Sequence, residues 1–154
     1  MGRSGTEPSL RARALRYLAQ REHSRVELRR KLVRYSDDAE VVDALLDSLE
    51  KANLLSAERF TQSLIHRRQM RYGNLRIAQE LSTHGLDPDA IAAQMQTLRE
   101  SEFARAQAAW ARKFGALPQD AAERARQARF LAQRGFSGAV IRAVLRGVAD
   151  DDSA

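Results

Sequence analysis

The sequence predicts an all-α protein, an elongated array of three tandem three-helix repeats, and three observations lead there. First, residues 15–32 (LRYLAQREHSRVELRRKL) return as residues 128–145 (ARFLAQRGFSGAVIRAVL). Arg16, Leu18, Ala19, Gln20, Arg21, Ser24 and Leu32 recur as identical residues 113 positions on, and Tyr17 recurs as Phe130. A fainter copy, offset by 49, turns Leu28, Lys31 and Leu32 into Ile77, Glu80 and Leu81. Self-similarity at such intervals marks stacked helical units. Second, only 8 Gly and 3 Pro interrupt 154 residues dominated by Ala, Leu, Arg, Gln and Glu, all good helix formers. Third, the apolar positions follow helical spacing, and no segment sustains the period of two that a strand needs.

Taken in order, each helix has its own justification. Leu10, Ala14 and Leu18 form the first stripe, over about 9–21. Ser24 with Glu27 is a capping box that opens a helix over 24–34. Asp37 with Glu40 offers a weaker version before Val42, Leu45, Leu46 and Leu49, the stripe of a helix over 38–52. Helices over 56–71 and 74–84 follow, the second ending at Gly85, where a left-handed residue is wanted. Asp87-Pro88-Asp89 supplies a cap, a first-turn proline and an acid against the helix dipole, predicting a helix over 88–98 with Ile91, Met95 and Leu98 inward. Helices over 101–114 and 118–134 end at Gly115 and Gly135. Ser137 starts the last, over 137–147, whose stripe is Ile141, Val144, Leu145 and Val148. No real breaker stands at 99–101, so the sixth and seventh of these nine helices can be continuous.

Grouped in threes, the helices give units at 9–55, 56–99 and 100–148, between a flexible leader (1–8) and an acidic tail (149–154). Armadillo and HEAT repeats are nearest in length, but none of their signatures appears. Met1-Gly2-Arg3-Ser4-Gly5-Thr6 loosely fits an N-myristoylation pattern, and an unstructured leader is the better reading of so short a match.

Charge alternates along the chain. Lys and Arg minus Asp and Glu gives +7 for 1–34, −5 for 35–56, +3 for 57–84, −3 for 85–102, +7 for 103–149 and −3 for 150–154. Of the 26 cations 23 are Arg, whose planar fork matches phosphate and carboxylate. The basic clusters are contact candidates for a polyanion: Arg25, Arg29, Arg30, Lys31 and Arg34 on one side of the array, Arg67, Arg68, Arg71 and Arg76 in the middle, and Arg134, Arg142 and Arg146 at the far end. The competing reading is that Arg and Ala enrichment reflects genomic base composition, with solvated basic helix faces. Tyr17, Tyr35, Tyr72 and Phe130 could stack on bases, although the repeat equivalence of Tyr17 and Phe130 favours core roles for those two.

Enzyme chemistry finds no support. There is no phosphate loop, no glycine-rich dinucleotide turn and no nucleophile elbow, and the carboxylates form no acid and base pair in an apolar setting. His23, His66 and His84 have no second ligand at metal spacing, and Cys is absent. No catalytic residue, metal or cofactor is therefore expected. No apolar run approaches the ~20 residues of a membrane span. The protein is expected to be cytoplasmic and monomeric.

Three motifs stand out: Arg21-Glu22-His23-Ser24 with Glu27-Leu28 and Lys31-Leu32, Gly73 with Arg76-Ile77 and Glu80-Leu81, and Phe130-Leu131 with Arg134-Gly135-Phe136-Ser137 and Ile141. Together they resemble those of the RecX family, regulators of the bacterial RecA recombinase. They lie in the family's order and span about 10–147. Asn74-Leu75 departs from the pattern, which has Pro or a basic residue after the glycine, and residues 99–125 match least. The resemblance implies an elongated, curved array binding in the groove of the RecA filament on single-stranded DNA. It also implies restraint of ATP hydrolysis, strand exchange and the co-protease activity of the SOS response. Two other classes remain open from the residues: a helix-turn-helix module using the turn at Glu22-His23-Ser24, and a protein-only scaffold.

Overall fold

Capping decides where the helices begin. In the computed structural model, which describes residues 6–147, the elements are α1 (Leu10–Gln20), α2 (Arg25–Leu32), a 3₁₀ turn (Val33–Tyr35), α3 (Ala39–Lys51), α4 (Ala57–Arg68), α5 (Asn74–Thr83), α6 (Ala92–Lys113), α7 (Ala121–Gln133) and α8 (Gly138–Leu145). Every regular element among the described residues is helical. The N-terminal part of the expected leader and the acidic tail lie outside these residues.

Ser24 caps α2 with the expected reciprocal box, its hydroxyl accepting from the Glu27 amide at 3.1 Å. Ser137 does the same work for α8, accepting from the Val140 amide. Gly85, Gly115 and Gly135 take φ of 66°, 72° and 90°, as their helix-ending positions require. The α3 cap falls one residue later than expected, on Asp38, whose carboxylate accepts from the Glu40 amide at 2.9 Å.

Two expectations are corrected. Nine helices become eight α-helices among the described residues, because 99–101 is uninterrupted within α6. The Ser101 hydroxyl donates back to the Leu98 carbonyl at 3.2 Å, so the one weak helix former there stays inside the helix. The start expected at Pro88 moves to Ala92. Asp87 instead closes a tight turn, its carboxylate accepting from the Asp89 amide and its carbonyl from the Ala90 amide, both at 3.0 Å.

The chain divides into two compact units, residues up to Ser63 and from Leu64 onward, with the division inside α4. In the first, Ala14, Leu28, Leu32, Val42, Leu46, Leu49 and Leu55 form the core, with Tyr17 packed on it. In the second, Ala106, Ala109, Leu131, Phe136, Ile141, Val144 and Leu145 form the core, with Phe130 edge-on to Phe114 at 5.4 Å. Tyr17 and Phe130 thus face their own cores. The repeat is visible in burial: Leu28/Leu32, Ile77/Leu81 and Ile141/Leu145 are all buried on α2, α5 and α8, and His23 and Phe136 fill equivalent turns.

His23 is 1% exposed and its hydrogen bonds set its tautomer. The Lys31 ammonium can only donate, so Nε2 accepts at 2.8 Å, and Nδ1–H donates to the Arg21 carbonyl at 3.0 Å. Burial pushes the imidazole down from its usual 6.5; the Arg21 carbonyl bond and Glu27 oppose this, while the Arg21 and Lys31 charges add to it. A depressed folded value means the stabilisation is complete above about 6.5 and is lost as pH falls through that lower value. Glu27 adds a second, more acidic step. Burial would raise its carboxyl, but Arg21, His23 and the Ser24 amide hold it at about 2. Thermal melts from pH 7.5 to 5 should therefore show falling stability that His23→Gln largely abolishes. Equal pH dependence in both proteins would refute the assignment.

Candidate functional site

Local pairing sorts the arginines into two populations. On α2, Arg25 reaches Asp47 and Glu50 of α3 at 2.7 and 2.9 Å, and Arg29 reaches Asp43 at 2.8 Å. The basic and acidic blocks of the first unit thus neutralise each other where those helices pack. Lys31 is committed to His23 and lies over the Tyr17 ring, 4.8 Å from its centroid. Arg30 and Arg34 are exposed, and their side chains have no hydrogen bond or ion pair among the described residues. The same holds for Arg67, Arg142 and Arg146 in and beyond α4.

In the second unit two glycines bring distant sequence motifs together. The Gly73 amide donates to the Arg134 carbonyl at 2.7 Å, and the Leu75 amide to the Gly135 carbonyl at 3.0 Å. A Cβ on Gly73 would lie 2.3 Å from the Phe136 nitrogen, and one on Gly135 would lie 2.4 Å from the Arg76 Cβ. Only glycines permit this approach. Gly73 stands where Ser24 and Ser137 stand in the other repeats, so α5 has no side-chain cap of its own. Glu102 of α6 supplies the missing acceptor: Oε2 takes the Asn74 amide at 2.9 Å and Oε1 takes the Ser137 hydroxyl at 3.0 Å.

Arg105, one turn further along α6, ties down the loop before α5. Its Nη1 donates to the Tyr72 and Gln69 carbonyls at 2.9 and 3.2 Å, and Nη2 donates to the Leu98 carbonyl and to Asn74 Oδ1. Burial lowers its basicity and Glu102 offsets this. Asn74, the residue that departs from the family pattern, therefore has a structural role in this chain.

The loop held in this way presents a groove of about 650 Å³, whose walls include Arg68, Tyr72, Leu75, Arg76, Gln79 and Gly135. Arg68 is neutralised by Glu80, with Nε and Nη2 at 3.1 and 3.0 Å from the carboxylate oxygens. Arg76 lies over the Tyr72 ring, 4.1 Å from its centroid, with Arg71 5.6 Å from the same centroid. Arg134 lies 4.7 Å from the Phe130 centroid and donates to the Arg71 carbonyl at 3.2 Å. None of Arg71, Arg76 and Arg134 has a carboxylate partner among the described residues. Aromatic faces and carbonyls hold their guanidinium groups, leaving most N–H donors for a ligand.

The structure thus gathers Arg68, Arg71, Arg76 and Arg134 at one place, whereas Arg25 and Arg29 are bound up within the first unit. Gln79, Leu75, the buried Glu102 and the half-buried Arg105 were not among the expected contacts. Tyr72, Arg76 and Gln79 do follow i, i+4, i+7 spacing, which would have placed Gln79 on the arginine face. Nothing local marks Glu102 or Arg105, because their partners lie ~30 residues away.

These features define an all-helical repeat protein with an arginine-bearing groove in its second unit. Models of the first, second and third three-helix domains of RecX match residues 11–49, 58–95 and 100–145. The regulatory protein RecX of Herminiimonas arsenicoxydans is 51% identical over 144 residues, covering 94% of this chain and 95% of its own. That of Ralstonia nicotianae is 53% identical over 139 residues, covering 90% and 87%. A crystal structure of RecX from Lactobacillus salivarius shares the fold, with a TM-score of 0.74 at 20% identity over 91% of this chain and 94% of that one. The chain belongs to the RecX family of regulatory proteins. No helix among the described residues is long and apolar enough to cross a membrane.

Proposed function

We propose that this protein is a negative regulator of the RecA recombinase, binding in the groove of the RecA filament on single-stranded DNA. There it limits ATP hydrolysis, strand exchange and SOS co-protease activity. Family membership supports a regulatory role. The observation that carries the polyanionic partner is the cluster of Arg71, Arg76 and Arg134, positioned by the glycine contact and left without carboxylates. Fixed guanidinium groups lose little freedom on binding an anion, so they favour association with a charged filament.

The test is single-strand-dependent ATP hydrolysis by the cognate recombinase, with this protein added well below one copy per protomer. Inhibition is expected; no effect even at equimolar amounts would sink the reading. Among the five basic contact candidates of the first unit, Arg30 and Arg34 are the ones without a hydrogen bond or ion pair among the described residues. Arg30→Glu with Arg34→Glu should weaken filament binding several-fold with far-UV helicity unchanged. Arg29→Glu, by contrast, also opposes Asp43 and lowers stability. Filament affinity unchanged in the double variant would remove α2 from the interface.

A further inference from the structure

We propose that the groove beside α5 is a single-strand nucleic-acid subsite in which Glu80 limits affinity by occupying Arg68. The inference takes only its biological setting from the regulator reading. Its chemistry comes from the groove.

An anion is the ligand this site calls for: Arg76 lines it without a carboxylate partner, Arg71 lies 5.6 Å from the centroid of the lining Tyr72 ring, and Arg134, next to the lining Gly135, donates to the Arg71 carbonyl. A phosphodiester fits better than a protein carboxylate for two reasons. Where carboxylates of this chain reach arginines, at Arg25, Arg29 and Arg68, they form close pairs, and this cluster has been left without them. The groove also carries surface that a simple anion would not use. Leu75 is 61% exposed, and Arg76 covers the Tyr72 ring while remaining exposed itself. A base laid on Leu75 and on the Arg76 guanidinium plane would extend the existing stack, with Gln79 able to meet a base edge. A duplex keeps its bases stacked inward and would leave that surface idle. Glu80 is the acid among these groups, and its two bonds hold Arg68 back from a phosphate.

The test uses the full chain without recombinase. Anisotropy of fluorescein-labelled dT20 is titrated at several salt concentrations, with a duplex of equal length and poly-glutamate as competitors. Arg71→Ala and Arg76→Ala should each weaken dT20 binding several-fold and flatten the log–log salt slope by about 0.7 for every phosphate no longer neutralised. Glu80→Gln should do the opposite, tightening binding and steepening the slope by a similar amount as Arg68 is released. Leu75→Ala should weaken binding about fivefold with the slope unchanged, because it affects base stacking alone. Far-UV spectra guard against misfolding, and Glu80→Gln is a gain that misfolding cannot mimic.

Unchanged slopes in the Arg71 and Arg76 variants, no gain in Glu80→Gln, or competition by poly-glutamate or duplex as strong as by dT20 would each overturn the subsite. The ATPase assay with wild-type protein is separate. Inhibition there with no groove effect on dT20 removes the subsite and leaves the regulator reading. Groove effects without inhibition do the reverse.

Discussion

Gly135→Ala should cost about 3–5 kcal/mol, among the largest losses available to one added methyl group in this chain. Two penalties combine. At φ of 90° an L side chain is strained, by ~1–3 kcal/mol. Its Cβ would also meet the Arg76 Cβ at 2.4 Å and the Arg76 nitrogen at 2.7 Å. The second of these is backbone in the first turn of α5, so relief requires α5 to part from the turn before α8. Parting weakens the Gly73–Arg134 and Leu75–Gly135 hydrogen bonds, worth about 1 kcal/mol each. Gly73→Ala should be comparable, because its Cβ would face three backbone atoms within 2.5 Å and not a side chain that can move aside. Denaturant unfolding followed by circular dichroism measures both. A loss under ~1 kcal/mol would mean that the two segments separate freely and that the glycine junction is no clamp.

Arg105→Ala is expected to be similarly severe, about 3–5 kcal/mol. Removing the guanidinium leaves the Tyr72 and Gln69 carbonyls and Asn74 Oδ1 without their donor, and the Leu98 carbonyl with the Ser101 hydroxyl but not the arginine. It also leaves Glu102, 6% exposed, without the nearby cation. Arg105→Lys keeps the charge but cannot span these acceptors with a planar fork, so it should recover only part of the stability. Glu102→Gln should cost less, about 1–3 kcal/mol, since an amide oxygen still serves one of its two donors. Coupling between positions 102 and 105 in a double-mutant cycle should exceed about 0.5 kcal/mol. Strict additivity would show that the two residues act independently. Because Arg105 holds the 69–74 loop, Arg105→Lys should also weaken dT20 binding without touching the groove itself.

The helices and their ends were legible from local chemistry. Ser24 with Glu27, Ser137, Gly85, Gly115 and Gly135 act within a few residues of chain, so spacing alone reveals them. The departures were local competitions as well. Asp38 displaced Asp37 as the cap of α3, and Asp87 closed a turn where it was expected to start a helix. The 113-residue repeat also read correctly as two equivalent helix pairs with equivalent buried positions, because burial along a helix follows its period.

Charge was the less legible half of the site. Twelve basic residues looked alike as contact candidates, since composition records a charge but not its neighbour. Packing separated them: α3 neutralises Arg25 and Arg29, Glu80 occupies Arg68, and Arg71, Arg76 and Arg134 keep their donors. What the sequence determined by itself was therefore the all-helical repeat, its caps and its core faces, all consequences of interactions between near neighbours in the chain. Tertiary structure alone decided that Gly73 meets Gly135, that Glu102 caps a helix not its own, and which arginines are left for a partner. Those outcomes depend on groups tens of residues apart, whose meeting is set by how helices pack and not by their spacing in sequence.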